Sequence, residues 1–170
     1  MSASTRRRLP IAIIATAVVV AALSGCTSAG TTAPDDAPIR DDTGQIIDAN
    51  AQTDAFALQV GDCLNDARAN GEVVTVPTVP CDLAHDSEIY SAHELGESSY
   101  TGEELVIGKA EALCLPAFEQ FVGEPYLDSR FDFSYYYPTD ASWAGGDREV
   151  LCVIYDPEGQ ITGSLAGVTD

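Results

Sequence analysis

Glu149-Val150-Leu151-Cys152-Val153-Ile154-Tyr155 is the stretch whose reading decides the fold class. Side chains alternate in an extended chain, so Val150, Cys152 and Ile154 share one face while Leu151, Val153 and Tyr155 share the other. Both faces are apolar, which predicts a central strand covered on both sides. Asp156-Pro157-Glu158-Gly159 then reads as a tight turn with proline pre-set at its second position, and Gln160 to Leu165 is expected to return as a strand. The turn lacks the alternating oxygen ligands of a calcium loop.

Outward from this strand the pattern is mixed. Phe56 to Val60, leading into Gly61-Asp62-Cys63, reads as a strand, and Glu72 to Val76 is a β-branched run stopped by Pro77 and Pro80. Ser87 to Ala92, centred on Ile89 and Tyr90, is a third. Thr101-Gly102-Glu103-Glu104 has capping-box spacing and should start a helix. Val106, Ala110, Leu113, Ala117, Phe118 and Phe121 form its apolar stripe with Cys114 beside it, Pro116 should kink or interrupt it, and Gly123 should stop it. The expected class is α+β: a small antiparallel sheet with one main helix packed on it, held by two disulfides.

The N-terminus carries an address. Arg6, Arg7 and Arg8 precede an apolar run from Ile11 to Leu23, and that run is too short to span a bilayer, which takes about 20 residues. Leu23-Ser24-Gly25-Cys26 looks like a lipobox, so residues 1–25 are expected to be a lipoprotein signal peptide and Cys26 the lipidated first residue of the mature chain. Two acyl chains satisfy the condition for stable anchoring. Residues 26–54 are rich in Thr, Ser, Ala, Gly, Pro and Asp and are expected to form a disordered acidic tether, leaving residues 55–170 as the globular domain. The expected location is the extracytoplasmic face of the plasma membrane.

Setting Cys26 aside leaves Cys63, Cys81, Cys114 and Cys152, an even set in an exported chain, with no C-x-x-C pair to suggest metal. Four cysteines allow three connectivities, among which sequence does not choose. The favoured set joins Cys63 to Cys81 within one strand-loop-strand unit and Cys114 to Cys152 as a clamp between helix and strand.

The chain has 8 basic and 27 acidic residues, and removal of the three signal arginines leaves five basic residues and a formal net charge of −22. Arg40, Arg68, Lys109, Arg130 and Arg148 are scattered, so counterion-driven nucleic-acid binding is excluded. Anionic headgroups repel such a body, and contact with the membrane is left to the lipid.

Two groups of residues are candidates for chemistry. His85, Asp86, Glu88 and His93 offer a base near neutral pH with carboxylates to orient it, the minimal ingredients of an envelope hydrolase or a metal site. On a strand, however, His85 and Glu88 point to opposite faces, and no third metal ligand is evident. Ser87 lacks the glycine-flanked elbow of an exposed nucleophile. The second group is Tyr135, Tyr136, Tyr137, Trp143 and Arg148, where amphipathic aromatics and a guanidinium are suited to recognition. No cofactor motif is present.

Val60-Gly61-Asp62-Cys63, Val79-Pro80-Cys81, His85-Asp86-Ser87-Glu88, Phe121-Val122-Gly123, Tyr137-Pro138-Thr139, Ser142-Trp143 and Gly145 through Cys152 together resemble the septum-formation family domain of actinobacterial envelope proteins. The resemblance implies an exported or membrane-tethered domain with paired disulfides, associated by name with cell division, and brings no reaction or catalytic residues to transfer. The resulting expectation is a non-catalytic lipid-anchored domain that binds an envelope protein or a cell-wall component.

Overall fold

The strand read from Glu149 to Tyr155 lies inside a six-stranded antiparallel sheet in the computed structural model, which describes residues 37–67, 69 and 71–169. In chain order the elements are β1 (Asn50–Asp54), β2 (Cys63–Leu64), β3 (Thr75–Val79), β4 (Ser87–Glu94), α1 (Glu103–Val122), β5 (Asp132–Tyr136), α2 (Asp140–Ala144) and β6 (Glu149–Tyr155). The strand order is β1-β3-β2-β4-β6-β5. β6 therefore has β4 on one flank and β5 on the other, and its two apolar faces pack separately, Val150, Cys152 and Ile154 into one cluster and Leu151 and Val153 into another.

α1 covers one face. Val106, Ala110, Cys114, Phe118 and Val122 are buried at helical spacing and pack with Tyr90, Val150, Cys152 and Ile154 from the sheet. Phe118 sits edge-on to Tyr90 and Tyr126, with centroids 6.2 and 5.4 Å away. Pro116 lies inside the helix without ending it. Its missing N–H leaves the Ala112 carbonyl without its usual donor, but both residues are exposed and water can serve. The helix starts differently from the expectation: Gly102 is the N-cap at φ +98°, and the Thr101 hydroxyl is buried without a partner. Gly123 ends the helix at φ +94°, its N–H donating to Glu119 O at 3.0 Å.

Both favoured disulfides are present. Cys63–Cys81 joins β2 to the end of the β3 hairpin, and Cys114–Cys152 ties α1 to β6, with Cα separations of 5.3 and 5.4 Å. The observed class is the expected one, an antiparallel sheet carrying one main helix.

The N-terminal boundary of the folded part differs from the expected residue 55. β1, read as tether, pairs with β3, and the Thr53 and Thr78 hydroxyls share a buried 2.7 Å hydrogen bond. Arg40 and Ile46 form a further bridge, and the Arg40 guanidinium makes a two-pronged pair with Asp62 at 2.5 and 2.7 Å. Its remaining donors reach Gly44 O and Ala57 O, each at 3.0 Å. Leu23 to Cys26 and the rest of the tether up to residue 36 lie outside the described residues.

Three strand expectations change. Phe56 to Val60 is not a strand: the Asp54 carboxylate accepts from Phe56 N and turns the chain into a 3-10 turn at Ala55–Ala57. The strand expected at Glu72 to Val76 runs instead from Thr75 to Val79 and contains Pro77. Asn50 pairs with Thr78 and Thr53 with Val76, so Ala51 and Gln52 together face Pro77 across a bulge, where no N–H is demanded of it. Gln160 to Leu165 does not return beside β6, because both flanks of β6 are taken. Instead Ile161 bridges His85, and the Glu88 carboxylate holds the tail by accepting from Ser164 Oγ at 2.7 Å and Leu165 N at 2.8 Å. Among the described residues no helix is long and apolar enough to cross a membrane.

Candidate functional site

The sheet face away from α1 carries a second apolar cluster of Leu58, Leu64, Val76, Ile89, Leu151 and Val153. An open groove of about 1290 Å³ borders it, and Val73, Tyr136 and Leu151 belong to both. The alternation of β5 explains why the tyrosine run divides. Tyr135 and Tyr137 pack against the α1 cluster, whereas Tyr136 turns to the second cluster.

Tyr136 is fixed there. Its hydroxyl donates to Asp66 Oδ2 at 2.7 Å, and Ser87 Oγ donates to Asp66 Oδ1 at 2.5 Å. Burial first, and then the Asp66 charge, push the Tyr136 hydroxyl far above its ordinary value, so it remains a donor at any physiological pH. Asp86 holds the same wall, accepting from Ala67 N at 3.1 Å and Gln160 Nε2 at 3.0 Å.

The groove is acidic throughout. Asp66 and Glu72 line it from the loop between β2 and β3, Asp86 from the approach to β4, and Glu103 from the first turn of α1. Asp140 and Asp147 add charge around α2, Glu149 from β6, and Asp156 and Glu158 from the turn that follows. No lysine, arginine or histidine lines it among the described residues. Arg130 balances Asp156 from outside, at 2.7 Å. Glu149 faces Glu94 directly across the β4–β6 pair, and partial burial followed by repulsion from Asp147 and Glu94 raises its carboxyl above the ordinary range. The groove is also partly apolar: Phe56 and Val74, both lining it, are 67% and 66% exposed.

The structure does not bring the His85 group together. His85 is fully buried with Nδ1 2.8 Å from Leu83 O, Asp86 serves the groove wall, Glu88 holds the C-terminal tail, and His93 Nε2 lies 2.9 Å from Ser91 Oγ. Among the described residues no three His, Cys, Asp or Glu side chains are placed to hold a metal ion.

Trp143 and Arg148 form a packing unit. Trp143 is 5% exposed and belongs to the α1 cluster, so of its two readings, recognition surface and core packing, the structure places it in the core. The capping box between Thr139 and Ser142 starts α2 and carries Trp143 inward. The Arg148 guanidinium stacks 3.8 Å above the indole and donates to Trp143 O at 2.8 Å and Asp147 O at 2.5 Å, so its fork contacts main chain and a ring rather than a carboxylate. The groove has no local signature in the sequence, because its carboxylates are spread from Asp66 to Glu158.

No curated protein and no solved structure matches the chain. A family model described as septum formation matches residues 60–168, from the turn before β2 to the C-terminal tail, and so spans both disulfides, α1 and β2 through β6. This match covers well over half of the sequence, and the chain belongs to the septum-formation family.

Proposed function

We propose that this protein is a lipid-anchored, non-catalytic binding module on the outer side of the plasma membrane, and that it presents its groove to a protein or cell-wall partner in septum assembly. Family membership supports the link to septum formation. The single observation that carries the binding reading is the groove itself, an open concavity of about 1290 Å³ bordered by exposed apolar side chains and by carboxylates that do not converge on a reacting centre. Anchoring rests on Cys26 and the basic and apolar segments before it. Cys63, Cys81, Cys114 and Cys152 suit an oxidising compartment.

Two measurements test this. Labelling with an alkyne fatty acid should mark the wild-type chain and not Cys26→Ala, and the variant should leave the membrane fraction. A photocrosslinking amino acid at Phe56 should give discrete adducts in intact cells that are absent when it is placed at Leu127, which is 92% exposed and does not line the groove. Identical adduct patterns from the two positions would refute the binding role.

A further inference from the structure

We infer that the groove takes an extended polypeptide segment in which lysine or arginine accompanies apolar side chains. This deepens the binding reading and rests on it. Sign comes first: nine carboxylates line the groove and, among the described residues, no basic side chain does, so nucleic acid, anionic lipid and acidic peptides are repelled. Spread comes second. No three acidic or histidine groups among the described residues could cage a metal ion, so the charge suits a ligand that presents several separated cations. Apolar lining comes third, because Phe56 and Val74 stand exposed at the groove while Val73, Tyr136 and Leu151 line it over the second cluster. A bare polyamine would leave that surface wet. Size agrees, since about 1290 Å³ is above the range of roughly 300–1,000 Å³ usual for small-ligand sites. A cation beside Glu149 would also relieve its repulsion with Asp147 and Glu94.

The test is fluorescence anisotropy with the full chain in a non-ionic detergent and labelled ten-residue peptides of alternating Lys–Leu, Lys–Ser and Glu–Leu. Binding of Lys–Leu is expected in the micromolar range at about 50 mM salt, weaker by about tenfold for Lys–Ser and undetectable for Glu–Leu. Neutralising Glu72, Glu149 and Glu158 together to Gln should weaken Lys–Leu binding by about tenfold. The same charge change made at Asp82, Glu119 and Asp128, which do not line the groove, should leave affinity within about twofold. Equal losses from the two triple variants would overturn the inference, as would spermine or calcium competing as effectively as the Lys–Leu peptide. If all three peptides fail to bind while Phe56 crosslinks persist in cells, the occupant class is wrong and the binding role stands; loss of both removes both.

Discussion

Tyr136 and Asp66 are 70 residues apart in sequence, yet the tyrosine hydroxyl donates a 2.7 Å hydrogen bond to the carboxylate. That bond joins β5 at one edge of the sheet to the loop between β2 and β3, and so sets the distance between two sides of the groove.

Tyr136→Phe keeps the ring on the second cluster and removes only the hydroxyl. A hydrogen bond to a charged acceptor contributes about 1.5–3 kcal/mol, but Asp66 keeps its bond from Ser87, so about 1–2 kcal/mol is expected by urea denaturation. Hydrogen exchange should quicken in the loop around Asp66 and not in α1.

The Arg40–Asp62 pair lies across the boundary of the family match. Asp62 is only 2% exposed, and Arg40→Ala would strand its charge in the interior. The expected loss is about 3–5 kcal/mol. Arg40→Lys should recover only part of it, because an ammonium cannot reproduce the two-pronged contact. A chain begun at residue 60 should likewise melt well below one begun at residue 37, since it also lacks β1.

The disulfides differ in the loops they close. Sequence separations of 18 and 38 correspond, in the chain-entropy model, to about 3 kcal/mol for Cys63–Cys81 and about 4 kcal/mol for Cys114–Cys152. Replacing the second pair by serine should cost more than replacing the first, and by a wider margin than these figures suggest. Cys114 and Cys152 are both fully buried in the α1 cluster, where two hydroxyls have no water.

What could be read in advance follows from where the information lies. β6 and α1 carry their own periodicity, and their cysteines lie on buried faces, so strand and helix were legible locally while the pairing of the cysteines was favoured but not fixed. β1 was not, because Asn50 to Asp54 is polar and becomes a strand only through Thr78 and the bulge opposite Pro77. β5 is hard to read as a strand because aromatics fall on both faces, Phe133 and Tyr135 on one and Tyr136 on the other, which blurs the alternation. The groove was illegible for a different reason: its charges come from several separate segments that only the fold assembles.

Glu149 predicts a dependence on pH. Its carboxyl is raised in the folded state by partial burial, then by Asp147 and Glu94, so the folded protein binds that proton more tightly than the unfolded chain does. Stability from this group is present below the ordinary carboxylate value and is lost as pH rises through the raised one. Glu149→Gln should therefore be the more stable protein at pH 7, by a few tenths of a kcal/mol because much of the side chain still faces solvent, and its advantage should vanish in acid. Urea midpoints measured across that pH interval read the crossover.

Trp143 is the single tryptophan of the chain, so its emission reports one environment. Arg148 stacks 3.8 Å above the indole and Tyr100 meets it edge-on at 5.8 Å, which shields a ring whose Nε1 is buried without a partner. Arg148→Lys keeps the charge but loses the planar lid and the hydrogen-bond geometry to Trp143 O. The emission should shift to the red, and stability should fall by about 1 kcal/mol from the weakened cation–π contact. Groove binding should be unaltered, since neither residue lines it. A variant that loses peptide affinity while keeping its emission maximum would instead place Arg148 at the partner, restoring the recognition role that its position over Trp143 argues against.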